Sequence, residues 1–138
     1  LPPELLRQVF KLKSHDKITL VTDAMRGAGL PEGTTTMLGS IKDGMEVIIE
    51  DGVAKLTDRT AFAGSVATAP RLLRTVIFNA GLELTDAVKM MTLNPAKVMG
   101  IDGECGSLAI GKRADLVGFD RDINIEFTVI GGMHCPPC

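Results

Sequence analysis

Asp23 stands where the apolar run Ile18-Thr19-Leu20-Val21-Thr22 stops, and Ala24-Met25-Arg26-Gly27 come at once after it. A β-branched run that ends on a carboxylate and enters a glycine-bearing loop is how a buried parallel strand brings an acid/base group to an active-site rim. Aspartates also close turns and cap helices, so on pattern alone both roles stay open. Other residues fit for chemistry are sparse. His134 precedes Cys135-Pro136-Pro137-Cys138, a spacing that a redox pair or half of a zinc site can use. Redox pairs of this kind open a helix in a βαβ setting, whereas this one stands at the end of the sequence, so residues 134–138 are expected to be a frayed tail. His15, beside Asp16, is expected to be a solvated turn residue, and Cys105 stands alone.

The elements that must position these groups follow from periodicity and turn chemistry. Pro2-Pro3-Glu4 followed by Leu5, Leu6, Val9 and Phe10 predicts a short amphipathic helix with proline in its first turn. Lys17 to Thr22 is the expected buried strand, and the loop from Gly27 through Gly33 to Gly39, with three consecutive threonines, reads as a rim loop. Met45 to Glu50 and Val53 to Leu56 flank Asp51-Gly52, the sequence of a two-residue hairpin. Glu46, Glu50 and Asp51 are expected to be solubilising charges on it. Past the loop at Arg59 to Ser65 the period turns helical, with Leu72, Leu73, Val76 and Ile77 on one face until Asn79-Ala80-Gly81. Thr85-Asp86 is expected to cap a second helix and Asn94-Pro95 a third, which ends at Gly100; Met90, Met91 and Met99 read as core filler. Gly106 to Phe119 predicts two strands joined at Gly111-Lys112, and a further strand spans Ile125 to Ile130.

Composition narrows the function classes. The chain has 138 residues, 45% of them hydrophobic, with a formal net charge of -2. That is enough for a real core and carries no electrostatic footprint for nucleic acid. The lack of Trp and Tyr removes the usual stacking platforms for single strands. No apolar stretch reaches the length of a membrane span and the start is not a secretory signal, so no membrane partner and a cytoplasmic location are expected. Three cysteines are too few and uneven for a disulfide framework. A lone parallel-type strand at 17–22 cannot bury both faces without neighbours. With no initiator Met, the order of elements reads as a fragment of a longer protein.

Gly106-Ser107-Leu108-Ala109-Ile110-Gly111-Lys112-Arg113-Ala114-Asp115-Leu116-Val117 resembles the closing strands of the amidohydrolase superfamily, and Leu93-Asn94-Pro95-Ala96 resembles its Asn-Pro-Ala helix start. With Leu20 to Met25, the hairpin, and Ala63-Gly64-Ser65 ahead of a helix, the order is similar to the C-terminal third of the N-acetylglucosamine-6-phosphate deacetylase family. The resemblance implies an α/β fold: residues 1–100 as the last part of a (β/α)8 barrel with the hairpin 45–56 inserted, and 101–133 as strands of a small β-sandwich. It implies that Asp23, at the end of the eighth barrel strand, takes a proton from a metal-bound water and returns it to the leaving amine. It also implies that the stretch Ala61, Phe62, Ala63 and Gly64 contacts the amino-sugar phosphate substrate through its backbone; a plain helix-entry turn is the other reading, with Gly64 there for close approach.

That family holds a divalent metal such as zinc on a glutamate and two histidines upstream, and neither His15 nor His134 matches them. No metal ligand, and hence no bound metal, is expected in this chain, which alone should be inactive. The exposed barrel-facing side of Ile18 to Val21 should drive self-association, and a homo-oligomer is expected. Two other classes remain open: a different amidohydrolase, such as a cyclic-amide hydrolase or deaminase, and a non-catalytic folding or assembly module.

Overall fold

The structure, a computed structural model, describes residues 1–136. It divides into two compact units, Leu1–Leu20 with Leu73–Cys138, and Val21–Leu72.

The second unit is built on an antiparallel sheet of four strands in the order β1 (Thr35–Leu38), β2 (Met45–Glu50), β3 (Val53–Leu56) and β4 (Phe62–Gly64). The predicted hairpin forms as β2 and β3, with Glu50 paired to Val53. Asp51 and Gly52 both take positive φ, 53° and 69°, as the tight turn between right-twisted strands demands. One face of the sheet is apolar: Val47, Ile49 and Ala54 are buried with Ala63 and Val66, and Met25, Leu38 and Leu56 pack against them. The hairpin is thus half core rather than an exposed flap. Two strands lie where the sequence predicts loops. The threonines of the rim loop pair with β2, and Phe62–Gly64 pairs with β3. Both are short strands completed by partners elsewhere in the chain, and neither carries the alternation that marks a strand by itself.

The other unit carries α1 (Pro3–Leu12), a 3-10 turn (His15–Lys17), α3 (Leu84–Met91), α4 (Leu93–Met99) and an antiparallel sheet β5-β6-β7 (Leu116–Phe119, Ile125–Ile130, Met133–Cys135). The remaining helix, α2 (Ala69–Arg74), runs on into a π-helical turn at Thr75–Asn79. Its core gathers Leu73, Val76, Leu82, Ala87, Met90 and Ile123. Arg74 donates to the backbone oxygens of Asp122 and Ile123, at 2.8 and 2.9 Å, and so holds the β5–β6 turn in which Ile123 takes φ 59°.

Past the 3-10 turn, Ile18 to Thr22 runs extended but belongs to no ladder among the described residues; Leu20 N–H donates to Met90 O at 2.9 Å, and Val21 is 70% exposed. A run with no ladder partner, and with Thr19 and Val21 exposed, is not a buried strand. The cap of α3 is Glu83, with Thr85 and Asp86 inside the first turn, and the cap of α4 is Thr92. Gly100 does end α4, with φ 70°. Met90 is buried and Met91 packs beside it, but Met99 is exposed. Leu108 to Ile110 forms no strand, because it finds no ladder partner among the described residues and Leu108 and Ile110 stay exposed; beyond it the Lys112 ammonium donates to oxygens of Asp102, Cys105 and Ser107. His134 and Cys135 lie in β7 rather than in a frayed tail, and Cys138 is outside the described residues. No helix among those residues is long and apolar enough to cross a membrane.

Candidate active site

Asp23 takes φ 45°, the left-handed region that Asp and Asn enter more readily than other side chains. The residue is exposed, and its carboxylate has no hydrogen bond or ion pair among the described residues. The two residues after it are held firmly. Ala24 forms a parallel bridge with Ser65, and Met25 N–H donates to Ser65 O at 2.9 Å. The residues just before that bridged pair are Asp23 and Gly64, so the fold sets two of the predicted site residues side by side.

The four residues of the stretch Ala61 to Gly64 do not present themselves alike. Ala63 turns its side chain into the core with Val47 and Ile49, leaving only its backbone for contact. Phe62 points the other way and is 79% exposed. Gly64 has φ 143°, and a Cβ there would meet Met25 side-chain atoms at 3.5 Å and beyond, an ordinary contact. Backbone conformation, rather than close approach within the chain, therefore explains the glycine.

Ala61 and Phe62 line an open cavity of about 520 Å³ with Asp51, Val53, Lys55, Arg59 and Thr60. Phe62 and Lys55 are cross-strand partners and share a face. The cations here are already paired: Lys55 with Asp51, and Arg59 with both oxygens of Glu50 at 2.6 and 3.0 Å. Glu50 and Asp51 are thus ion-pair partners and not merely solubilising charges. The Arg59 guanidinium holds the Glu50 carboxyl below its usual range and is itself held up by it. Because the folded carboxyl is the more acidic one, the pair contributes stability above the ordinary glutamate pKa and loses it as pH falls through the lowered value. Arg59→Gln is expected to bring the Glu50 midpoint back up to the ordinary range, read from side-chain carboxyl shifts by NMR; an unmoved midpoint would show that the pair does not form in solution.

The histidines lie elsewhere. His15 is half-buried, with Nδ1 2.8 Å from Asp86 Oδ2 and its ring edge-to-face with Phe10, so it is not a solvated turn residue. His134 is exposed opposite Val129. Among the described residues no group of three or more His, Cys, Asp or Glu is placed to hold a metal ion. Sequence reading missed Asn94, which is 2% exposed and donates through Nδ2 to His15 O and Ile18 O, both at 2.7 Å. A polar residue at the start of a short apolar helix signals a cap; only the fold shows it fastening a loop.

Residues 6–134 match the Amidohydrolase family. The chain belongs to the amidohydrolase family. Among curated amidohydrolase relatives, it is 35% identical over 119 residues to a putative N-acetylgalactosamine-6-phosphate deacetylase of Escherichia coli K12, covering 86% of this chain and 68% of that protein. It is 34% identical over 116 residues to the N-acetylglucosamine-6-phosphate deacetylase of Vibrio furnissii, covering 84% and 28%. The crystal structure of N-acetylglucosamine-6-phosphate deacetylase from Pasteurella multocida matches 99% of the chain and 34% of its own, with 27% identity and a TM-score of 0.85. The chain therefore spans about two thirds of one amidohydrolase relative and about a third or less of the others. Its mixture of helices and sheets is an amidohydrolase fold.

Proposed function

We propose that this chain works as the C-terminal part of an enzyme that hydrolyses the acetamide of N-acetylglucosamine 6-phosphate, releasing acetate and glucosamine 6-phosphate. The observation that carries this reading is the pairing of Ala24 with Ser65, which fastens the residue after Asp23 to the residue after Gly64 and leaves the Asp23 carboxylate unengaged. In this reading residues 1–100 complete a (β/α)8 barrel and 101–133 supply sandwich strands. Relatives bearing the deacetylase name across most of the chain support it.

Amide hydrolysis moves one proton twice. A water oxygen attacks the acetyl carbonyl while its proton passes to a base; the C–N bond then breaks, and the amine needs a proton to leave. Asp23 does both in turn, as base and then as acid, so that the carboxylate ends as it began. Ala61 to Gly64 would present backbone to the sugar. The divalent ion that the family implies would acidify the attacking water. The described residues do not fit it: no group of three or more His, Cys, Asp or Glu among them is placed to hold an ion.

The relative at 35% identity is named for N-acetylgalactosamine 6-phosphate, which differs only in the configuration at C4, and this favours the galacto sugar as a second substrate. The test is amine release by the metal-loaded enzyme containing this chain, with the gluco and galacto 6-phosphates offered separately. Turnover of at least one supports the reading. Turnover of cyclic amides or aminopurines alone would replace it with another amidohydrolase activity, and no turnover of any would favour a non-catalytic module.

A further inference from the structure

Asp23 is expected to move a proton, yet no side chain or backbone donor among the described residues orients its carboxylate. Its aim is set by the backbone alone, and that backbone is in the left-handed region, where small rotations redirect the side chain. The fastening must come from close neighbours. Met25, two residues on, supplies it at three points. Its N–H donates to Ser65 O at 2.9 Å, and its carbonyl accepts from Ala28 N–H at 3.0 Å, closing the turn beyond Asp23. Its side chain packs onto the buried cluster of Val47, Ile49, Ala54, Ala63 and Val66. The side chain also lies over Gly64 and, beside the closer Ile49 and Thr36, over Gly27. A Cβ on Gly27 would lie 3.4 Å from Met25 Sδ, and one on Gly64 3.5 Å from Met25 Cγ. The two main-chain bonds are open to any residue but proline, so the side chain is the part that the other substitutions remove. An unbranched thioether suits such a slot between two Cβ-less positions.

We infer that Met25 is the positioning residue for Asp23: its side chain pins the loop that aims the carboxylate. This rests on the reading of Asp23 as the proton relay. A misplacement of about 1 Å at a reacting group costs on the order of 100-fold in rate. The loss should therefore fall on kcat, since the Met25 side chain packs onto the buried cluster.

Variants of the metal-loaded enzyme test this at a temperature well below their melting points. Met25→Ala is expected to lower kcat by about 10- to 100-fold with KM changed less than about twofold. Met25→Leu, which keeps the volume, should return kcat to within about threefold of the parent. Val47→Ala removes volume from the same cluster on β2; it should lower the melting point as far as Met25→Ala while leaving kcat within about threefold. Should Met25→Ala fail to fold, Met25→Val at the same readouts decides the matter. The inference is overturned if kcat is kept in the truncated variant, if the loss falls on KM, or if Val47→Ala loses as much turnover. Asp23→Asn separates the two levels. A dead Asp23→Asn beside a fully active Met25→Ala sinks this inference alone, whereas an active Asp23→Asn sinks the proton-relay reading beneath it.

Discussion

Asp23→Asn is expected to lower kcat by about 10³-fold while KM and the melting point stay at their parent values. Asparagine has the shape of aspartate and enters the left-handed region at least as readily, so φ 45° at this position should not strain it. Asp23 has no hydrogen bond or ion pair among the described residues to lose, so stability has no reason to change. What the amide cannot do is accept a proton from water and release it to an amine. The whole effect should therefore appear in the chemical step. Steady-state assays of amine release, with a thermal melt and a metal determination on the same sample, check it. Retained turnover would remove Asp23 from the reaction. A fallen melting point would mean instead that the carboxylate has a structural partner.

Gly106→Ala is expected to cost roughly 2–5 kcal/mol of stability, combining a positive-φ penalty with overpacking. Gly106 has φ 85°, and a Cβ there would lie 2.7 Å from Ala96 Cβ, 3.0 Å from Thr92 O and 3.1 Å from Leu93 Cα. Two of those three atoms are backbone at the start of α4, so relief requires the helix end or the loop to move. Gly111, in the same motif, has φ 89° but nothing within 4 Å of its added Cβ. Gly111→Ala should thus cost only the conformational part, about 1–2 kcal/mol. Urea unfolding of both variants, with unchanged m-values, separates conformation from contact. Equal losses would show that the approach to α4 contributes nothing.

The parts of this fold that could be read from the residues are those whose cause is local. Asp51-Gly52 forms its turn because those two residues tolerate positive φ, and the strands on each side pair accordingly. Gly100 stops α4 for the same reason. The failures are all matters of partnership. Thr35–Leu38 and Phe62–Gly64 become strands only because β2 and β3 present free edges to them. Lys17 to Thr22 has the composition of a buried strand, and Leu108 to Ile110 that of an edge strand, yet neither finds a ladder among the described residues. Asn94 and His15 look like a cap and a solvated turn, and become a loop fastener and the half-buried hydrogen-bond partner of Asp86.

By itself the sequence determined the kinds of chemistry on offer: a carboxylate at the end of an extended run, glycines where only glycine fits, and a closing motif that matches the amidohydrolase family. Those arise from residue type and short spacing, which act within a turn or two of chain. Only the tertiary structure decided that Ala24, next to Asp23, pairs with Ser65, that Ala63 is core while Phe62 faces out, and that Met25 packs on the buried cluster. Bringing distant segments together is a property of pairing and packing, whose energies depend on partners the local sequence does not contain. The aim of an unsupported carboxylate is decided there too, because a group with no bond of its own points where its backbone is held.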